Sequence, residues 1–144
     1  MSDMIVLLGG RAAEDVVFND ITSGASNDLE RVTKLARLMV MRLGMSDELG
    51  PMVYGKKEEL VFLGREISEQ RDFSEHVAEK IDTAIQKIIQ DAYEKAKEIL
   101  KKYRKELDQI ADKLLEVETL NAEQFFEIFP TPVEKNGGIP EKIA

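Results

Sequence analysis

The sequence predicts a mainly α-helical domain with a small β element near residues 51–64. Three observations carry this. Apolar residues recur at three- and four-residue steps over long stretches, the spacing of one helix face. Capping signals stand ahead of several of these stretches. The only β-like runs are M-V-Y at 52–54 and L-V-F-L at 60–63, which could pair as a hairpin or edge across G-K-K-E at 55–58.

The first element covers residues 4–18, with Ile5, Leu8, Ala12 and Val16 at helical spacing beside Ala13 and Val17. Gly9-Gly10 interrupts it. Glycine in a helix costs about 1 kcal/mol relative to alanine, so the pair is expected where another backbone packs close. A short strand through Leu8 followed by a helix from Gly10 is the alternative. Asn19-Asp20 ends the element with turn chemistry. The loop 22–26 is polar and contains Gly24. Ser26 and Asn27 are candidate N-caps, and Asn27 with Glu30 has capping-box spacing.

The next helix carries Leu29, Val32, Ala36, Met39, Val40 and Leu43 on one face, widened by Leu35 and Leu38 to most of its circumference. Gly44 suits its C-terminal stop. A long helix is expected from Asp72, which has capping-box spacing with Glu75, through Val77, Ile81, Ile85, Ile88, Ala92, Ala96 and Ile99 to Tyr103. Leu107, Ile110, Ala111, Leu114 and Leu115 continue the period, and no proline or glycine places the junction. Asn121 and Gln124 form a further capping box for a short helix ending at Phe129. Residues 4–129 therefore read as the ordered domain. Residues 130–144, with three prolines and Gly137-Gly138, read as a flexible tail.

A formal net charge of −8 argues against nucleic acid or an anionic membrane surface as the main partner. The absence of cysteine excludes disulfides and thiolate metal sites. The longest apolar run, 4–8, is too short to span a bilayer. The passage from Met1-Ser2-Asp3 straight into M-I-V-L-L suggests a piece of a longer protein, with a native start as the alternative.

Few residues point to chemistry. Gly50-x4-Gly55-Lys56 resembles a P-loop, but Lys57 stands where a magnesium-binding hydroxyl is needed and no helix pattern follows. A turn, an extended run and a turn is the better reading. The single histidine, His76, belongs to no H-E-x-x-H pair and reads as a solvated surface residue. Asp28, where the loop meets the helix, suits either the positive end of the helix dipole or a rigidly held metal ligand. Glu14 reads locally as solvated. A catalytic zinc usually takes three protein ligands, and one histidine cannot complete such a set.

L-L-G-G-R-A-A-E-D-V-V-F at 7–18, T-S-G-A-S-N-D-L-E-R at 22–31 and A-R-L-M-V-M-R-L-G-M-S-D-E-L-G-P at 36–51 resemble the peptidase domain of the FtsH family. V-F-L-G-R at 61–65 and E-T-L-N-A-E-Q-F at 118–125 fit the same pattern, so the resemblance runs from about residue 5 to 129. That family comprises membrane-anchored, hexameric, ATP-dependent zinc metalloproteases that degrade membrane and misfolded proteins. Its peptidase domain faces the cytoplasm in bacteria or an organelle interior. The resemblance implies Asp28 as a zinc ligand and Glu14 as a support that orients the zinc histidines without touching the metal, or as the ligand instead.

The H-E-x-x-H helix, which in the family supplies two histidines and the general-base glutamate, is absent from this chain. So are the ATPase domain and the transmembrane segments. The chain is therefore expected to hold no catalytic residue, to bind zinc weakly or not at all, and to be inactive alone. Loss of the upstream helix would expose core surface, with Ala36, Met39 and Val40 as candidates. The competing reading is a non-enzymatic helical oligomerisation or protein-interaction module.

Overall fold

The computed structural model describes residues 1–55 and 72–129. The chain forms two compact units, Met1–Leu100 and Lys101–Ala144. The fold is mainly α. Among the described residues there are five α-helices and one 3-10 turn and no strand. Residues 52–54 have no regular secondary structure, while the remainder of the expected β element, from 56 to 64, lies outside the described residues, as does the 130–144 tail.

In the first unit, α1 (Ser2–Phe18) is one continuous helix, so the strand alternative for its start is not realised. Its glycines do not mark a close approach: a Cβ built on Gly9 or Gly10 meets nothing within 4 Å. Asn19 closes α1 in the left-handed conformation at φ 51°. A 3-10 turn, η1 (Ser23–Ala25), leads directly into α2 (Ser26–Met41). The cap for this pair is Thr22, whose hydroxyl accepts from the Gly24 N–H. Ser26 and Asn27, the expected caps, are inside the helix. The extra 3-10 turn moves the helix start upstream, and α2 itself has no side-chain cap.

Helix α3 runs over Glu75–Lys102, about 42 Å at 1.5 Å per residue. Its first turn is served by Ser74, whose hydroxyl accepts from Val77 N–H at 3.4 Å, rather than by Asp72. The Asp72 carboxylate instead accepts from Gly55 N–H at 2.8 Å.

The three helices meet in one core. Met4, Leu8, Val32 and Val40 are its largest fully buried side chains, joined by Ala36, Met39, Leu49, Ile81, Ala84, Ile85 and Ala92. Ala36, Met39 and Val40 are therefore core rather than exposed surface. The exposed apolar side chains lie elsewhere: Val6, at 78%, and Leu38, at 46%, border a shallow groove between α1 and α2 with Leu7 and Leu35. Leu38 faces out, so α2 is buried on one face and not around most of its circumference, and Leu43, expected on the buried face, lies beyond its end and is exposed.

Gly44 follows α2 at φ 60°, and a Cβ there would lie 3.0 Å from the Pro51 Cα. The positive φ favours glycine, and the close Pro51 backbone leaves little room for a side chain. They let the 44–55 segment fold back, so that Tyr54 N–H donates to Met41 carbonyl at 2.8 Å and Arg42 donates to Gly55 carbonyl at 2.8 Å.

In the second unit, α4 (Arg104–Val117) follows α3 after the single non-helical residue Tyr103. Glu118 ends it at φ 59°. The last helix, α5 (Ala122–Ile128), begins with a complete capping box. Asn121 Oδ1 accepts from Gln124 N–H at 2.9 Å, and Gln124 Oε1 accepts from Asn121 N–H at 3.0 Å. Neither α4 nor α5 has a buried residue.

Candidate metal-ligand loop

The loop from Asn19 to Ala25 joins the end of α1 to the start of α2, and two carboxylates frame it. Glu14, in the last part of α1, reaches across to Thr22. Its Oε2 accepts from the Thr22 N–H at 3.1 Å and its Oε1 from the Thr22 hydroxyl at 2.8 Å. The same Thr22 oxygen accepts from Gly24 N–H at 3.2 Å. A hydroxyl can do both, since it has one hydrogen and two lone pairs. The backbone N–H of Thr22 and then its hydroxyl hold the Glu14 carboxyl below the ordinary glutamate range. Both donors favour the charged form.

Asp28 sits in the first turn of α2, where an acidic side chain complements the helix dipole. Its side chain is 43% exposed, and an ion pair with Arg31 is long at 3.8 Å. A pair this loose and this solvated contributes little. The Asp28 carboxylate is thus carried on a fixed helical turn with lone pairs open toward solvent. That arrangement suits one donor to a metal ion.

Among the described residues no group of three or more His, Cys, Asp or Glu side chains is placed to hold a metal ion. His76, the chain's single histidine, is exposed in the first turn of α3. With a single histidine, this chain does not itself carry the two zinc histidines that the resemblance implies. In the P-loop-like stretch a turn over 47–49 leads through Gly50, at φ 69°, to a bend at Gly55, at φ 78°. Lys56 lies outside the described residues.

Asp15, next to Glu14, works in a different direction. Its Oδ2 accepts from the Tyr93 hydroxyl at 2.9 Å and from Lys97 Nζ at 2.8 Å, both on α3. The Lys97 and Asp15 side chains each keep only 23% of their exposure. Lys97, and then the Tyr93 hydroxyl, lower the Asp15 carboxyl, while Asp15 raises the Lys97 ammonium. Successive residues of α1 thus fasten the loop on one side and α3 on the other. Neither Thr22 nor this triad is apparent in the sequence. Thr22 carries a weak signal, a hydroxyl two residues ahead of Gly24 in a stretch without larger side chains. Tyr93 and Lys97 carry none, being 78 and more residues from Asp15.

The chain is 54% identical over 135 residues to the ATP-dependent zinc metalloprotease FtsH of Thermotoga maritima, covering 94% of this chain and 22% of that protein. It is 53% identical over 127 residues to the protein of that name from Chloroflexus aggregans, covering 87% and 19%. For that of Pseudothermotoga lettingae the identity is 50% over 125 residues, covering 87% and 20%. The chain thus spans about a fifth of the length of the curated relatives it matches. The profile of peptidase family M41 matches residues 1–128, nearly all of the chain, and the chain belongs to that family.

Proposed function

We propose that this chain is the C-terminal part, residues 4–129, of the peptidase domain of an ATP-dependent zinc metalloendopeptidase. In that protein it supplies Asp28 as the third protein ligand of zinc and the helical scaffold behind it. The observation that carries the reading is the half-exposed Asp28 carboxylate on a helix start whose approach is fastened by Glu14. Ligands on rigid elements, oriented by a further shell of hydrogen bonds, are what metal sites require. Both Glu14 oxygens engage Thr22, so its support acts at least on the loop that leads to Asp28.

The relatives are named as ATP-dependent zinc metalloproteases. By that relationship the whole protein degrades protein substrates, uses ATP in a domain outside this chain and is membrane-anchored through other segments. Among the described residues no helix is long and apolar enough to cross a membrane. The exposed apolar groove between α1 and α2 fits a surface covered by further parts of a hexameric assembly. The bound zinc would activate a water for attack on a peptide carbonyl.

This chain alone is expected to show no EDTA-sensitive hydrolysis. Mixed with a fragment carrying H-E-x-x-H, it is expected to take up stoichiometric zinc, and Asp28→Ala should abolish that uptake. EDTA-sensitive proteolysis by a contaminant-free sample of the chain, or zinc retained by Asp28→Ala, would refute the reading.

A further inference from the structure

Among the described residues the Asp28 side chain is met by Arg31, at 3.8 Å, and by no shorter polar contact. Its position is set by what holds the start of the η1–α2 pair. Three bonds converge there on one residue. Thr22 donates its N–H and its hydroxyl to the two oxygens of Glu14, and its oxygen receives the Gly24 N–H that opens η1. Ala25, the last residue of η1, is buried and seats the turn. The 3-10 turn then runs without a break into the helical turn that carries Asp28.

We propose that Thr22 is a positioning residue for Asp28: its hydroxyl, bridging Glu14 and Gly24, fixes the direction in which α2 starts and so the place of the ligand carboxylate. This inference rests on the reading of Asp28 as a zinc ligand. It assigns to a hydroxyl, and not to the glutamate alone, the task of orienting that ligand. A serine can reproduce both bonds of the hydroxyl, and a valine, of nearly the same shape, can reproduce neither.

The test is made on the full-length protein with zinc as the probe. Zinc affinity is measured by competition with a chelator, and the thermal midpoint is measured on the metal-free form. Thr22→Val is expected to weaken zinc about tenfold or more, the usual range for loss of an outer-shell partner. Thr22→Ser is expected to bind as the unsubstituted protein does. Loss of the cap is expected to lower the Thr22→Val midpoint modestly, so zinc affinities are compared at a temperature where both variants are fully folded, which separates positioning from a general loss of stability.

On the metal-free chain, amide exchange at Gly24 and Asp28 is expected to speed up in Thr22→Val and not in Thr22→Ser. If Thr22→Val does not fold, Thr22→Ala removes the same hydroxyl without adding a methyl beside Glu14 and reads the same two quantities. Unchanged zinc affinity in Thr22→Val, with binding abolished by Asp28→Ala, overturns this inference and leaves the ligand assignment standing. Unchanged affinity in Asp28→Ala overturns the ligand assignment itself. Equal weakening in Thr22→Val and Thr22→Ser overturns the role given to the hydroxyl.

Discussion

The two units of the chain are built from helices of the same amphipathic kind, yet they are held in different ways. In the first, α1, α2 and α3 share a core in which Met4, Leu8, Val32 and Val40 are sealed from water. In the second, α4 and α5 bury no residue, and Leu115 keeps 84% of its exposure. What holds that unit is mostly local, with one longer contact between the Tyr103 and Phe129 rings at 5.0 Å. A full capping box starts α5, Arg104 pairs with Asp108 one turn on, and Phe125 stacks on Phe129 at 6.0 Å. Periodicity therefore reports which face of a helix is apolar and not how deeply it is covered. Depth depends on what other elements reach that face.

Truncating the sealed core tests this contrast most strongly. Leu8→Ala should cost about 2–5 kcal/mol, the range for deleting a buried leucine side chain. Leu115→Ala should stay within about 0.5 kcal/mol, as for surface changes. Denaturant unfolding of both variants measures the difference. A cost for Leu115→Ala near that for Leu8→Ala would break the comparison, since it would mean that α4 is covered in solution.

The second unit should instead be sensitive at its cap. Asn121→Ala removes an acceptor for the Gln124 N–H and should cost about 1 kcal/mol of local stability. Faster amide exchange over 122–128, with α3 unaffected, is the expected signature. Spread of the effect into α3 would mean that the units fold as one.

Much of this organisation is legible in the sequence. Three- and four-residue spacing picks out Leu8, Ala12, Val32, Ala36, Val40, Ile81, Ile85 and Ala92, all buried. The Asn121–Gln124 box is present in full because both of its members are local. The misreadings share a physical origin. Ser26, Asn27 and Asp72 have cap chemistry, but Thr22 and Ser74 take the role because tertiary bonds decide where the chain enters a helix. The glycines of α1 suggest a neighbouring backbone, and none lies there among the described residues. The ligand role of Asp28 follows from family resemblance, since a lone carboxylate at a helix start is equally good as a dipole partner. The Glu14–Thr22 contact spans eight residues across a turn, beyond the reach of helix or strand periods.

The smallest effect at neutral pH, and the one with the most distinctive shape, is expected at the link between α1 and α3. The Asp15 carboxyl is held below its ordinary range, so its contribution to stability is present above the unfolded-state pKa and is lost as pH falls through the lower folded-state value. The Lys97 ammonium is raised, so its contribution is present below the ordinary lysine value and is lost only as pH rises through the higher folded one. Between these limits the triad is intact.

Asp15→Asn keeps the size of the side chain and one acceptor but removes the charge. Stability of the unsubstituted chain and of Asp15→Asn, followed by denaturant midpoint from neutral to acid pH, should differ most near neutrality. The two curves should converge as pH falls below the ordinary aspartate range. Glu14, Glu30 and Glu98 are also lowered and will weaken both proteins in acid. Those groups are common to the pair, so the difference between the curves isolates Asp15. A difference that stays constant into acid would mean that packing of Tyr93 and Lys97, and not the charge between them, is what fastens α1 to α3.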